Sequence, residues 1–124
     1  MLILAMDTST MVGGVALLKD GVTLGEHILN VRATHSERLM SAVEALMAAA
    51  GVTPSDLEAI ACGIGPGSFT GVRIGVSACK AMAYALSIPI VSVPSLDALA
   101  YGRGKGARAV WCLSDARHGR CYSA

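Results

Sequence analysis

A glycine-rich segment, Gly65-Pro66-Gly67-Ser68-Phe69-Thr70-Gly71, joins a short apolar run to a long helical pattern. Its glycines permit the positive φ angles of a tight strand-to-helix turn. Ala59 to Ile64 before it predicts a short buried strand, and Val72 to Leu86 after it predicts a helix rich in small residues. A chain built around this junction is expected to place helices against a sheet, as α/β folds do.

Three strands are predicted ahead of the junction. Leu2 to Met6 is an apolar run that ends at Asp7, Val12 to Leu18 follows, and Lys19-Asp20-Gly21 predicts a hairpin turn into Val22 to Val31. The pattern then changes to helical spacing over Ser36 to Ala50, carried by Leu39, Val43, Leu46, Met47 and Ala50, with a capping box at Thr34 and Glu37 and a stop at Gly51. Thr53 to Asp56 predicts a capped single turn.

The remaining elements follow the junction in the same alternating order. Ile88 to Val93 predicts a strand, Ser95 to Tyr101 a short helix, and Gly102 to Gly106 a flexible linker. A strand from Ala109 to Leu113 and a hairpin over Asp115 to Gly119 close the sequence. The order β-β-β-α-β-α-β predicts an α/β sheet with helices packed on it.

The end of the sequence repeats its beginning. Ile3 to Asp7 with its turn into Val15-Ala16 matches Trp111 to Asp115 with its turn into Tyr122-Ser123-Ala124. The repeat predicts a duplicated fold, with a first lobe over residues 1–106 and the start of a second over residues 107–124.

Charge gives little direction to the search for a function. The net charge is +1, so the composition excludes a strongly basic or acidic protein. The 53% apolar and 15% charged residues suit a folded core. One asymmetry remains, because half of the basic residues lie after residue 100, against a single acid, Asp115. They are Arg103, Lys105, Arg108, Arg117 and Arg120.

Neither the cysteines nor the histidines show metal-ligand spacing. Cys62, Cys79, Cys112 and Cys121 are far apart and predict reduced core thiols. His27, His35 and His118 lie on a strand, a first helical turn and a terminal hairpin, with no i, i+4 pair. The apolar N-terminus is too short for a signal peptide or membrane span, so a cytoplasmic protein is expected.

Phosphate or nucleotide binding is one interpretation of the polar residues at the strand ends. The candidates are Asp7, Gly65, Gly67, Ser68, Thr70 and Asp115, since glycine-rich turns and strand-end carboxylates can hold phosphates and metal ions. The alternative is a tight turn in which Ser68 or Thr70 caps the helix and the aspartates cap turns. The segment matches neither a Walker A loop nor a dinucleotide loop, and Ser68 lacks a nucleophile elbow.

A resemblance to the bacterial TsaB (YeaZ) family is carried by four motifs: Met6-Asp7-Thr8-Ser9, Thr34-His35-Ser36-Glu37-Arg38-Leu39, the run from Gly65 to Gly75, and Asp115-Ala116-Arg117. It implies an α/β lobe of the actin-like, hexokinase-like ATPase superfamily (ribonuclease H-like), a mixed sheet with helices packed on it. A second, duplicated lobe would begin where this chain ends. The resemblance also implies a role in threonylcarbamoyl modification of the adenosine next to the anticodon of tRNA.

In that family the protein is a non-catalytic paralogue of TsaD, the transferase subunit. The resemblance implies a scaffold that binds a TsaD-like subunit, is joined by a TsaE-like ATPase, is a homodimer when alone, and meets tRNA indirectly. Ser95 and Leu99 stand where TsaD relatives carry the histidines of a metal-binding H-x-x-x-H motif. No metal, no firmly bound cofactor and no membrane contact are expected, and ATP with Mg²⁺ is expected only in the complex.

The resemblance also implies a four-helix contact with the partner. The candidate interface residues are Leu39, Val43, Leu46 and Met47 on the first helix, and Gly75, Ala78, Cys79 and Met82 on the second. The alternative is that these apolar residues cover their own sheet. Two other functions remain open: an ATPase-type enzyme using Asp7 and the glycine-rich segment, and a glycoprotease-like peptidase, which the lack of a metal motif or nucleophile elbow disfavours.

Overall fold

The computed structural model describes residues 1–30, 35–102, 106 and 109–124. In chain order the elements are β1 (Leu2–Asp7), β2 (Val12–Lys19), β3 (Val22–Asn30), α1 (His35–Ala50), a single 3-10 turn (Pro54–Asp56), β4 (Ala59–Gly63), α2 (Phe69–Leu86), β5 (Ile90–Val93), α3 (Ser95–Tyr101), β6 (Leu113–Arg117) and β7 (Arg120–Ser123). The predicted α/β order is confirmed within these ranges.

The first five strands form one mixed sheet in the order β3-β2-β1-β4-β5. β1 lies at its centre, antiparallel to β2 and parallel to β4. The three N-terminal strands are joined by short turns, whereas the parallel strands require helical crossovers. Both crossovers, α1 and α2, begin at the strand ends near the β1 turn and contact each other.

The core lies between this sheet and the two long helices. Alternate residues of β1 point into it, and Leu4 is fully buried together with Leu17 of β2 and Ile60 of β4. α1 covers β2 and β3, while α2 covers β1 and β4. The opposite face of the sheet carries small side chains at its centre, where Ala5 lies beside Ala16 and Ala61.

The local signals for turns and caps largely match the structure. Asp20 and Gly21 have positive φ in the first hairpin, and Gly51 has φ 66° after α1. Thr53 and Asp56 form a capping box around the 3-10 turn, where a capped single turn is predicted. The capping box predicted from Thr34 lies outside the described residues, as does the linker segment 103–105.

Three predictions near the C-terminus need correction or remain open. β6 begins at Leu113 and not at Ala109, since residues 109–112 form no regular strand, and it continues past Asp115 to Arg117. Cys121 is exposed, so only the other three thiols are buried. The lobe boundary after residue 106 stays a prediction.

Within the described ranges, no helix has the length and apolar character needed to cross a bilayer.

Candidate functional site

A buried polar turn follows β1 and occupies the junction of the sheet with α2 and α3. Asp7 ends the strand, and Thr8 and Ser9 after it are almost fully buried. One carboxylate oxygen of Asp7 accepts the Ser9 N–H at 2.7 Å, and the other accepts the Ser95 hydroxyl at 2.6 Å. Both oxygens of this half-buried carboxylate therefore have donors from within the chain, as a charge out of water requires.

Four glycines at intervals of four residues let β4, the glycine-rich segment and α2 pack closely against the turn after β1. Gly63, Gly67, Gly71 and Gly75 each face it so closely that an added Cβ would overlap Asp7, Thr8 or Ser9. The Thr8 hydroxyl donates to the Gly71 carbonyl at 2.6 Å, and the Ser68 N–H donates to the Ser9 carbonyl at 2.6 Å. The glycines thus permit a close backbone approach.

The predicted phosphate candidates are divided between two places in the structure. Gly67 packs on Ser9, and Ser68 caps α2 by accepting the Gly71 N–H at 3.3 Å, as the capping alternative predicted. Gly65 donates its N–H to Ser95 Oγ, while Thr70 is exposed in the first turn of α2. Asp115 lies apart from them on β6, in a separate two-stranded sheet, where it accepts the Arg117 N–H at 2.7 Å.

Two buried thiols lie beneath the glycine-rich junction. Burial raises the pKa of the Cys79 thiol, and its hydrogen bond with Cys62 and the negative charge of Asp7 raise it further. Burial likewise raises the pKa of Cys62. Both groups are therefore neutral thiols and poor nucleophiles. No group of three or more His, Cys, Asp or Glu side chains placed to hold a metal ion occurs in the described part of the chain.

A second feature is a groove of about 440 Å³ between α1 and α2. Its lining combines apolar, small and basic side chains: Leu39 and Met40 from α1, and Thr70, Arg73, Ile74, Ser77 and Ala78 from α2. Its small residues, Ser77 and Ala78, leave space for another backbone or side chain to approach. The groove is thus the accessible surface that the two helices share.

The structure places most of the predicted interface residues in the core. The buried ones are Leu39, Val43, Leu46, Met47, Gly75 and Cys79, which contact the chain's own sheet and turn as the alternative predicted. Ala78 and Met82 are partly accessible. The helical spacing identifies a buried face without saying what covers it, and of the predicted residues Leu39 and Ala78 line the groove.

α2 also carries exposed side chains that the spacing did not single out. Phe69 is 75% exposed, and the Arg73 guanidinium lies 5.2 Å from the centre of its ring. Tyr84 is 89% exposed in the last turn of the same helix. Phe69 and Arg73 alternate with the buried Gly71 and Gly75, and the i, i+4 spacing of each pair is the sequence signal that could have found the two exposed residues.

Comparisons with known proteins agree over nearly the whole chain. A family model described as TsaD, tRNA N6-adenosine threonylcarbamoyltransferase, matches residues 26–124. The chain is 42% identical to the tRNA threonylcarbamoyladenosine biosynthesis protein TsaB of Bacillus subtilis, over 99% of this chain and 54% of that protein. Identity to the TsaB protein of Escherichia coli is 39%, over 98% of this chain and 53% of that protein.

Solved structures show the same likeness. YeaZ from Pseudomonas aeruginosa superposes with a TM-score of 0.87 at 40% identity, over 98% of this chain and 58% of that one. The expected lobe of the actin-like ATPase superfamily is confirmed by this match and by the mixed sheet. The chain spans about half the length of the curated relatives it matches.

Proposed function

Since the chain belongs to the TsaB (YeaZ) family, we propose that it serves the threonylcarbamoyladenosine modification of tRNA as a non-catalytic scaffold that binds a TsaD-like transferase subunit. A TsaE-like ATPase would join the assembly, and the lone chain would pair with a second copy through the same surface. A cytoplasmic location is part of the proposal, because tRNA is modified there.

The observation that carries this proposal is the open groove between α1 and α2. It presents Met40 and Ile74 beside small residues, and the exposed ring of Phe69 lies at one end of α2. Aromatic and methionine side chains are enriched at protein interfaces, and small residues let two helix pairs approach closely. Arg73 adds a single positive charge, which favours a partner with an acidic group at the matching position.

A scaffold role also suits the turn at the end of β1. Both carboxylate oxygens of Asp7 already accept hydrogen bonds from this chain. The turn after Asp7 packs directly against Gly67 and Gly71. We propose that these residues build the lobe and do not perform chemistry. ATP with Mg²⁺ would then be bound only in the assembled complex.

The proposal is tested by mixing the purified chain with the TsaD-like subunit of the same organism. Size-exclusion chromatography with light scattering should show a one-to-one complex. Ser77→Glu and Ala78→Glu each place a charge at the groove and should weaken association at least tenfold. Ala98→Glu on α3 is the matched control, because Ala98 is exposed and lies outside the groove.

Ser77 is exposed, so Ser77→Glu tests the surface without disturbing the core. Circular dichroism of each variant checks that the fold is retained. Unchanged association of folded Ser77→Glu and Ala78→Glu chains would overturn the proposed interface. Loss of association with the control alone would do the same.

A further inference from the structure

The hairpin formed by β6 and β7 brings two arginines face to face at its tip. Arg117 is the register partner of Arg120, and His118 and Gly119 form the turn between them. Arg117, His118 and Gly119 have φ angles of 63°, 53° and 71°, a left-handed run that is unfavourable for the two side-chain-bearing residues. Like charges directly opposite each other in a hairpin are also destabilising.

A register shift determines which face these arginines share. The pairing shifts between Asp115 and Arg117, so one extra residue lies on β6 at Ala116. Arg117 therefore points to the same side as Arg120 and Tyr122, whereas Asp115 pairs with Cys121 on the other side. Without the shift, Arg117 would share a face with Asp115.

The sequence around the basic face holds few acids. Asp115 is the single acidic side chain in residues 109–124, and one of its oxygens accepts the Arg117 backbone N–H. Within the part of the chain that the structure describes, neither Arg117 nor Arg120 forms an ion pair with a carboxylate. Both guanidinium groups and the His118 ring are exposed. The tip thus concentrates positive charge, and a bound anion would reduce the repulsion between the two arginines.

We propose that this hairpin binds the phosphodiester backbone of RNA, with Arg117 and Arg120 contacting phosphate and Tyr122 stacking on an unpaired base. The inference rests on the proposed function, which makes tRNA the RNA concerned. Guanidinium groups bind phosphate oxygens through paired hydrogen bonds. Tyr122 follows two residues along the same face, about 7 Å from Arg120, and offers an aromatic surface beside the charge.

An RNA backbone suits this site better than a free nucleotide. Mononucleotides are held in pockets that enclose most of their surface. The hairpin tip is exposed on both strands, from Arg117 through Tyr122. Such an open element can lie along a chain of phosphates and stack a base that is already unpaired.

The test is fluorescence anisotropy with a labelled anticodon stem-loop RNA and the intact 124-residue chain, at several salt concentrations. Arg117→Glu with Arg120→Glu should lower affinity at least tenfold, and the Arg117→Ala with Arg120→Ala variant should reduce the salt slope by about 1.4, for two lost phosphate contacts. Tyr122→Ala should lower affinity about fivefold with an unchanged salt slope. Lys19→Glu with Lys80→Glu is the control. It changes the net charge by the same amount as the double arginine-to-glutamate variant, but on β2 and α2, outside the hairpin.

Competition with ATP and with inorganic phosphate distinguishes the sources of phosphate. RNA binding that millimolar ATP leaves intact supports the proposal, while displacement by ATP or phosphate at that level assigns the site to a free anion and overturns it. Equal loss in the lysine control, or no RNA binding by the parent chain, also overturns it. Association with the TsaD-like subunit is measured on the same variants. Retained association with lost RNA binding separates this inference from the proposed scaffold function.

Discussion

Ser95 donates its hydroxyl hydrogen to Asp7 across 88 residues of sequence, with 2.6 Å between the two oxygens. The same Ser95 Oγ accepts the Gly65 N–H at 3.1 Å, and the Ser95 N–H donates to the Gly65 carbonyl at 2.8 Å. One side chain thus joins the end of β1, the glycine-rich turn and the first turn of α3. A bond to an ionised carboxylate is stronger than one between neutral groups, so this contact stabilises the junction.

Ser95→Ala should lower the free energy of unfolding by about 1–3 kcal/mol, because one oxygen of Asp7 loses its donor in a half-buried place. Urea unfolding followed by circular dichroism measures the loss. Ser92→Ala on β5 is a control, since Ser92 is exposed. In a double-mutant cycle with Asp7→Ala, the two changes should couple by about 0.5–3 kcal/mol. Strict additivity would show that the hydrogen bond contributes nothing to stability.

Gly71→Ala should destabilise the chain by more than about 3 kcal/mol, beyond the usual effect of a point substitution. The added methyl group would overlap the Thr8 carbonyl, which belongs to the backbone and cannot rotate away. Gly102→Ala is the matched control, because the nearest atom to its Cβ is 3.6 Å away and its backbone is right-handed helical. Thermal unfolding of both variants measures the difference. Equal melting temperatures would mean that the turn is not held by close approach.

The sequence predicts β1 and α1 well because each buries apolar residues on one face. Leu4 on β1 and Leu39 on α1 are buried at the positions that their spacing indicates. The Asp7 contact with Ser95 could not be predicted from the residues alone, since no local pattern joins positions so far apart. Nor could the spacing say whether Leu39 faces its own sheet or a partner. The predicted start of β6 is too early because the prediction follows apolar composition alone. Trp111 is apolar but exposed, and it lies before the strand.

Stability should fall above about pH 9 because of the buried thiols. Burial raises the folded-state pKa of Cys79 far above its ordinary value of 9.0, so the unfolded chain loses that proton first as the pH rises. The stabilising contribution is complete below pH 9 and declines above it, by up to about 1.4 kcal/mol per pH unit for each such thiol.

Guanidinium unfolding between pH 7 and pH 10.5 measures this decline. Lysines and tyrosines titrate in the same range, so the informative quantity is the difference between the parent chain and Cys79→Ala. The variant should be less stable at pH 7 but should lose less stability per pH unit above pH 9. Parallel curves for the two chains would exclude Cys79 as the cause.

Phe69→Ala should leave the fold unchanged and weaken association with a TsaD-like subunit by about tenfold or more. The ring is 75% exposed, so its removal creates no cavity, whereas exposed aromatic residues often contribute most of an interface's binding energy. The Arg73 guanidinium 5.2 Å from the ring centre would lose its aromatic neighbour, so the losses from Phe69→Ala and Arg73→Ala should not be additive in a double variant. Tyr101→Ala is the control, because Tyr101 is 89% exposed on α3, outside the α1–α2 groove. Isothermal titration calorimetry with each variant measures the affinity. If Tyr101→Ala weakens binding while Phe69→Ala does not, the partner binds near α3, and the surface proposed for it here must be replaced.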